Sequence, residues 1–276
     1  MKRIFPLHIQ LESAIMIKQL HFIELGNQDY QTIVFLHGLG ATHRYWKDGI
    51  AELATKYHVI LLDLLGFGES PKPWQNYTQE KHLLALYAVL KNHKPFIIIG
   101  HSLGASLSLA YAQHYPKQVK GLILMSFPVF IDQPNAYRWM RRKPSGWLLT
   151  NIFVTALICI GTRFLARKIL HHFLKQYPKD VIDDLVKHNM FSSTTSLWNV
   201  IYNQSILKNL DQLDSQMKVT CIHAINDQSA PYENIYSLVE SQTNWELCAL
   251  DKGDHHPWLW EKEISLEILK STLKRI

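Results

Sequence analysis

The sequence is poor in the features that would assign it to several common classes of protein. It has three cysteines in 276 residues, too few and odd in number for a disulfide framework, so we expect free thiols in a reducing, cytoplasmic setting. Its N-terminus lacks the unbroken apolar core of a secretory signal, because His8, Gln10 and Glu12 interrupt it. The longest apolar stretch, residues 147–160, is too short to span a bilayer.

Motifs for nucleic acids and for metal ions are missing as well. The formal net charge of +6 is modest, and the 29 Lys and Arg residues are scattered, so we expect no nucleic-acid partner. The 15 histidines show no metal-binding spacing such as His-Glu-x-x-His, and we expect neither a metal ion nor another cofactor. What remains is a globular composition, 47% hydrophobic and 19% charged, long enough for one large α/β domain with an insertion.

Short apolar runs alternate with helical patterns along most of the chain. Nearly all-apolar runs are typical of parallel strands buried on both faces, so the alternation predicts a mostly parallel central sheet with helices on both faces. The segment 16–25 is expected to add an antiparallel edge strand. The predicted buried strands are 32–38, 58–63, 96–100, 121–126, 218–224 and 245–250, and the main predicted helices are 78–91, 102–115, 232–240 and 260–274.

The interval between residues 126 and 218 breaks this alternation, because it contains only helical and loop patterns punctuated by prolines. An insertion at the carboxyl end of a strand lies where α/β sheets bind ligands, so we interpret it as a helical lid. The predicted organisation is an N-terminal arm at 1–15, a core made of 16–128 and 216–276, and a lid at 129–215.

The segment 96–113, FIIIGHSLGASLSLAYAQ, carries the clearest chemical signal. A predicted strand must pass into a predicted helix within a couple of residues, which holds Ser102 in a strained conformation and exposes its hydroxyl above the sheet. Gly100 and Gly104 relieve the crowding at this turn. The flanking strand and helix favour a nucleophile elbow over a glycine-rich turn with a capping serine.

A serine nucleophile needs a base, and the base needs an orienting acid. A loop with His255 and His256 follows the last predicted strand, and a loop with Asp227 follows the strand before it. Both loops belong to the carboxyl end of the sheet. The order along the chain is therefore Ser102, Asp227, His255, which is the order found in α/β-hydrolases.

With these motifs in place, the sequence resembles the α/β-hydrolase superfamily, in particular its esterase-like members with a lid. Together with the sheet, the resemblance covers about two thirds of the chain. It rests on four segments in order, which are the oxyanion-type loop His37-Gly38-Leu39-Gly40, the turn from Asp63 to Ser70, the elbow at Ser102, and Asp254-His255-His256-Pro257.

The resemblance implies a role for each matching residue. Ser102 would be the nucleophile, His255 the base and Asp227 the acid. The backbone N–H groups of Leu39 and Leu103 would form the oxyanion hole, where each donor contributes about 3 kcal/mol to stabilising a tetrahedral intermediate. Supporting or substrate-binding positions are expected at His37, Gly38, His101 and Trp258, with structural hydrogen bonding preferred for the two histidines.

Two assignments leave an alternative open. The Glu that usually follows the catalytic His by five is Glu261, five after His256 and six after His255, whereas Pro257 favours His255. Asp132, soon after the strand that ends at residue 126, is the alternative acid, because some relatives carry the acid at this point of the chain. Asp63 and Ser70 are interpreted as turn-forming residues.

The leading interpretation is a serine hydrolase that cleaves carboxylic esters with small to medium, apolar acyl groups through an acyl-enzyme. The alternatives are a membrane-surface lipase or lysophospholipase, an acyltransferase of the same fold and, remotely, a non-catalytic ligand-binding homologue. Ser102 argues against epoxide-hydrolase and dehalogenase chemistry, because those relatives generally carry Asp at the elbow. The sequence specifies neither the physiological ester nor the oligomeric state.

Basic residues around the apolar run of the lid allow two interpretations. Arg138, Arg141, Arg142 and Lys143 precede the run, and residues 163–168 add three further basic side chains. A basic rim around an apolar segment is typical of peripheral membrane binding. We favour the other interpretation, in which the run packs over the active site as a ceiling and the basic residues are solvated.

Overall fold

The computed structural model describes residues 19–165, 177–203 and 205–276. Seven strands form one sheet in the order β1-β3-β2-β4-β5-β6-β7, with β1 antiparallel to β3 and the other neighbours parallel. The predicted arm at 1–15 lies outside the described residues. The strands are β1 Phe22–Leu25, β2 Thr32–Leu36, β3 His58–Leu62, β4 Phe96–His101, β5 Val119–Met125, β6 Lys218–Ala224 and β7 Trp245–Leu250.

Helices of the described ranges cover both faces of this sheet, as predicted, and further helices lie in the segment between β5 and β6. They are α1 Lys47–Leu53, α2 Gln79–Leu90, α3 Leu103–His114, α4 Gln133–Met140, α5 Pro144–Leu149, α6 Ile152–Leu165, α7 Lys179–Asp184, α8 Met190–Ser196, α9 Ser205–Lys208, α10 Tyr232–Glu240, α11 Pro257–Trp260 and α12 Lys262–Leu273. None of these helices combines the length and apolar character needed to cross a bilayer.

Alternate residues of the central strands supply two separate apolar layers. Val34 and Ile98 face the layer that contains α2, α3 and α10, whereas Phe35 and Ile99 face the layer that contains α1 and α12. Because side chains alternate across a strand, a strand that is apolar at every position is buried on both faces. This arrangement confirms the predicted mostly parallel sheet and explains its nearly unbroken apolar runs.

Helices α4 to α9 lie between β5 and β6, where the sequence predicts the lid. We call residues 129–215 the lid segment. Its helix α8 continues into a π-helical turn at Leu197–Ile201, whose residues pack on the apolar layer beside α3. The lid segment is thereby connected to the core at the carboxyl ends of the strands, although its limits as a separate unit stay a prediction.

Candidate active site

The turn between β4 and α3 has the strained geometry expected of a nucleophile elbow. Ser102 has φ 52° and ψ −112°, a backbone conformation that residues other than glycine rarely adopt. Its N–H donates to the carbonyl of Met125 at 3.0 Å, which ties the elbow to the end of β5. A Cβ at Gly100 would lie 2.5 Å from the carbonyl oxygen of Gly104, so the close packing of helix against strand requires glycine there.

Ser102, His255 and Asp227 form a continuous chain of hydrogen bonds. The Nε2 atom of His255 lies 2.9 Å from Oγ of Ser102, and its Nδ1 lies 2.8 Å from Oδ2 of Asp227. A neutral imidazole with its proton on Nδ1 donates to the carboxylate and accepts the serine hydroxyl proton at Nε2. The structure therefore brings together the three residues that the sequence assigns to nucleophile, base and acid.

The carboxylate of Asp227 is buried but well supplied with donors. The N–H groups of Ser229 and Ala230 donate to its Oδ1 at 2.7 and 2.9 Å. Burial alone would raise the pKa of Asp227, but the charge and hydrogen bond of His255, with a smaller effect of His223, hold it below its ordinary value. Asp227 is thus kept ionised beside the imidazole.

The same pair changes the basicity of His255. Burial disfavours the charged imidazolium, yet the charge and hydrogen bond of Asp227 outweigh this effect and raise the pKa of His255 above its ordinary value. The two loops are also tied to each other, because Gln228 N–H donates to Oδ1 of Asp254 at 2.8 Å and Asp254 N–H donates to the Asn226 side chain at 3.0 Å. These contacts fix the position of the imidazole.

His101 holds the backbone of His255. Its Nε2–H donates to the carbonyl of His255 at 2.7 Å, and its ring stacks on Tyr45 at a centroid separation of 4.7 Å. Burial and the neighbouring histidine charges hold the pKa of His101 well below its ordinary value, so it stays neutral. Burial, with the charge of His255, likewise lowers the pKa of His256 to about 3, and this ring packs against Tyr45 and Tyr177.

The loop at residues 37–40 packs against the elbow. Nδ1 of His37 donates to the carbonyl of Gly38 at 2.8 Å, while its Nε2 accepts from Leu64 N–H at 3.0 Å, so both ring nitrogens are hydrogen-bonded to the backbone. Leu39 borders the cavity beside Ser102, and Leu103 is the first residue of α3. Among the described residues, neither of these two N–H groups has an acceptor, which leaves both available as oxyanion donors.

A cavity of about 190 Å³ adjoins Ser102 and is lined mainly by apolar side chains. Ser102 itself is only 6% exposed. The expectation that its hydroxyl stands open above the sheet is therefore corrected, because the lid segment covers the elbow. The side chains that the lid segment contributes to the cavity are Phe130, Met140, Leu149, Leu197, Ile201 and Tyr202.

The structure places two further sequence candidates away from this cavity. Trp258, expected to support the site or bind substrate, is buried in the core and packs edge-to-face on Trp46 at a centroid separation of 5.3 Å. Its position is set by α11, which turns the indole into the apolar layer below the loop. Asp132, the alternative acid, is exposed and caps α4 by accepting from Asn135 N–H at 2.7 Å.

Asp63 organises the turn after β3, as predicted. It accepts hydrogen bonds from the backbone of His43 and Glu69 and from the rings of His21 and His43. Burial would raise the pKa of Asp63, but these bonds and nearby histidines hold it far below its ordinary value. In the described part of the chain, His21, His43 and Asp63 are the one group of side chains close enough to share a metal ion, and the carboxylate is already occupied by these four donors.

Sequence analysis missed two residues that support the site. His223 donates from Nε2 to the carbonyl of Ala230 at 3.1 Å and lies 3.4 Å from Asp227, so it braces the acid loop from within β6. Tyr45 forms the stacking surface under His101. A lone histidine in an otherwise apolar strand, four residues before the acid, was the available signal for His223, whereas no local pattern distinguishes Tyr45.

The sheet order and the serine elbow define an α/β protein whose site lies at the carboxyl ends of its strands. The profile of the alpha/beta hydrolase fold family matches residues 31–262, and the chain belongs to this family.

Known proteins similar to the chain agree with this membership. It is 25% identical over 275 residues to "Probable lysophospholipase BODYGUARD 5" of Arabidopsis thaliana, covering 87% of this chain and 62% of the relative. It is 36% identical over 111 residues to "Lipase 1" of Psychrobacter immobilis, covering 38% of this chain and 34% of that protein. The chain spans 52–62% of the length of three relatives named BODYGUARD.

Solved structures with this fold include enzymes of different chemistry. An epoxide hydrolase of Bacillus megaterium superposes with a TM-score of 0.72 at 20% identity, covering 92% of this chain and 96% of that one. The esterase EaEST of Exiguobacterium antarcticum superposes with a TM-score of 0.71 at 18% identity, covering 92% and 95%. At such identities the likeness establishes the fold alone.

Proposed function

We propose that the protein is a serine hydrolase that cleaves carboxylic esters with small to medium, apolar acyl groups through an acyl-enzyme. The observation that carries the proposal is the hydrogen-bonded chain from Ser102 through His255 to Asp227 beside an apolar cavity. Family membership and the relatives named as lipase, lysophospholipase and esterase support ester hydrolysis. Serine at the elbow separates this chemistry from that of the epoxide-hydrolase neighbours, which generally use Asp there.

In the first half of the reaction, Oγ of Ser102 attacks the ester carbonyl while Nε2 of His255 removes its proton. The carbonyl oxygen becomes negative and accepts hydrogen bonds from the N–H groups of Leu39 and Leu103. Asp227 stabilises the imidazolium that forms. The proton then passes from His255 to the departing alcohol, and the acyl group remains on Ser102.

In the second half, water attacks the acyl-enzyme with His255 as base, and the acid is released. The cavity volume of about 190 Å³ limits the acyl chain. An engineered cavity of about 150 Å³ in another protein holds benzene, so a medium-length acyl chain fits here and a long one does not fit without movement of the lid segment. Apolar lining disfavours charged acyl groups, because no partner compensates their desolvation.

Two measurements on purified protein test this proposal. A fluorophosphonate probe should label the wild type, because covalent capture requires an activated serine as well as a pocket. A series of p-nitrophenyl esters from acetate to palmitate should then show the highest kcat/KM at medium chain length. Ser102→Ala should abolish both labelling and turnover.

Ser108→Ala is the matched control, since Ser108 is a buried serine of α3 whose hydroxyl only bonds the carbonyl of Gly104. It should label and turn over like the wild type. Undiminished turnover in Ser102→Ala would contradict the mechanism. A wild type that folds and binds esters without labelling or turnover would instead identify a non-catalytic ligand-binding protein.

A further inference from the structure

Helices α5 and α6 carry a group of large apolar side chains that are exposed to solvent. Phe153 is 79% exposed and Leu157 is 66% exposed. Exposed apolar surface of this kind usually marks an interaction site. On α6 the exposed positions follow helical spacing, while Thr155 on the other side is buried. We call this surface the lid face, which consists of Trp147, Leu148, Ile152, Phe153, Leu157 and Ile160.

The stretch of sequence that contains the lid face carries charges of one sign. Residues 133–179 contain nine Lys and Arg but no Asp or Glu, and because the whole chain carries +6, the remainder of the sequence carries a net −3. The positive charge of the protein is therefore concentrated in this stretch of the lid segment. Four of its cations, Arg138, Arg141, Arg142 and Lys143, are exposed immediately before α5.

Aromatic side chains lie directly beneath two of these cations. The guanidinium of Arg142 lies 4.2 Å from the ring centroid of Trp139, and that of Arg141 lies 4.6 Å from that of Trp147. Tryptophan and arginine are amphipathic, with an apolar body and a polar end, and such residues prefer the level of the headgroups in a lipid bilayer. An anionic surface would complement both the charge and the apolar area.

The lid face is adjacent in sequence to residues that line the cavity of the proposed active site. Met140, the last residue of α4, and Leu149, the last residue of α5, both line the cavity above Ser102. Arg138 lies two residues before Met140, and Arg141, Arg142 and Lys143 follow Met140 directly. The lid face lies on both sides of Leu149 in the sequence. The sequence interpretation of a ceiling therefore applies to Met140 and Leu149, whereas the lid face and the four basic residues are exposed.

We propose that the lid face docks in the plane of an anionic phospholipid surface, so that the cavity receives a medium-length acyl chain from a single-chain amphiphile at that surface. The helix α6 spans 14 residues and lies flat at the headgroup level in this arrangement. The substrate class, though not the docking, rests on the proposed ester hydrolysis. A protein surface would need acidic groups to match the same cations, and an exposed apolar face preceded by four exposed basic residues fits an anionic lipid surface better.

Co-sedimentation with vesicles tests the docking. The protein should sediment with phosphatidylcholine–phosphatidylserine vesicles at low salt, much less with pure phosphatidylcholine, and should be released as salt screens the charges. Replacing Arg138, Arg141, Arg142 and Lys143 together by Gln should weaken partitioning by at least about 100-fold. The matched control replaces Lys91, Lys94, Lys117 and Lys120 by Gln, which removes the same charge at the amino ends of β4 and β5 and should leave partitioning unchanged.

A second pair of variants tests the apolar part. Phe153→Ser with Leu157→Ser should lose vesicle binding by at least about 10-fold, because both side chains lose their burial in the lipid. Ile264→Ser, at a 48% exposed position of α12, should bind vesicles like the wild type. Equal sedimentation of lid-face and control variants, or equal binding to neutral and anionic vesicles, would overturn the proposal. So would a wild-type dimer that the Phe153 and Leu157 changes convert to monomer without any vesicle binding, since a second copy would then occupy the face.

Activity measurements separate this proposal from the proposed chemistry. Ser102→Ala should bind vesicles like the wild type, and turnover of the soluble ester p-nitrophenyl butyrate should be unchanged in the lid-face variants. If esters are not hydrolysed at all, vesicle binding is still expected. If p-nitrophenyl butyrate is hydrolysed but no variant or vesicle composition changes sedimentation, the docking proposal alone is wrong.

Discussion

At the carboxyl ends of the strands, polar groups are tied to one another, whereas in the lid segment large apolar side chains meet solvent. Around Asp227, two backbone N–H groups and an imidazole converge on one carboxylate. Around Phe153 and Leu157, large apolar side chains are exposed, and residues 133–179 of the sequence contain basic but no acidic residues. Hydrogen bonds fix the positions of atoms in the first region, whereas the second region exposes apolar surface to solvent.

This difference between the two regions matches the different requirements of proton transfer and of binding through an apolar surface. Proton transfer needs donor and acceptor within hydrogen-bond distance, so small displacements of His255 would be costly and the loops that carry it are braced. An apolar surface is non-directional and tolerates changes in detail. We therefore expect changes in the strand-end loops to alter the rate with every ester, and changes in the lid segment to alter which ester is used.

The largest expected effect is at the base. His255→Ala should reduce kcat/KM by at least about 10⁴-fold, because removing a triad imidazole leaves only the oxyanion hole and binding to act. Fluorophosphonate labelling should be lost in parallel. The neighbouring His256→Ala should keep most labelling and lose mainly stability, and the reverse pattern would move the base to His256.

The acid should matter almost as much. Asp227→Asn should lower kcat by about 10⁴-fold, because the amide favours the wrong imidazole tautomer and no longer stabilises the imidazolium. Asp132→Asn serves as the comparison, since Asp132 only caps α4 and should change helix stability slightly. A severe rate loss in Asp132→Asn with a mild one in Asp227→Asn would reverse the assignment of the acid.

The pH profile should report the pairing of base and acid. In the proposed mechanism His255 acts as a base in its neutral form, so kcat/KM should be full at high pH and fall about tenfold per pH unit once the pH drops below its pKa. Because Asp227 raises that pKa above 6.5, the acid limb should lie above 6.5 in the wild type and move to lower pH in Asp227→Asn. An acid limb that is unchanged in Asp227→Asn would show that another group controls it.

The smallest expected effect comes from the lid segment, and it should depend on chain length. Leu149→Trp adds bulk inside the cavity and should lower kcat/KM for octanoate esters about 10-fold relative to acetate esters. Leu148→Trp adds the same bulk at a neighbouring exposed position and should leave this ratio unchanged. If Leu149→Trp lowered kcat/KM equally for all esters, the residue would support the fold rather than determine which acyl chain lengths are accepted.

Most of the sheet could be predicted from the sequence. The predicted strands at 218–224 and 245–250 match β6 and β7, and the other four predicted buried strands agree with β2 to β5 within two residues at each end. Of the predicted edge strand at 16–25, only Phe22–Leu25 is a strand among the described residues. Apolar periodicity and the turns that end each run are local properties, so they are readable without the fold. The same local turns determined that Ser102, Asp227 and His255 belong to the same edge of the sheet, although their catalytic roles stay predictions.

Only the tertiary structure decided which side chains meet. His255 and His256 are adjacent in sequence, but Asp254 with its φ of 46° turns the loop so that His255 reaches Ser102, 153 residues away, while His256 packs against aromatic rings. The burial of Ser102 under the lid segment and the exposure of Phe153 follow in the same way from contacts between distant segments. Sequence patterns report a residue's own helix or strand, whereas burial depends on what that element packs against.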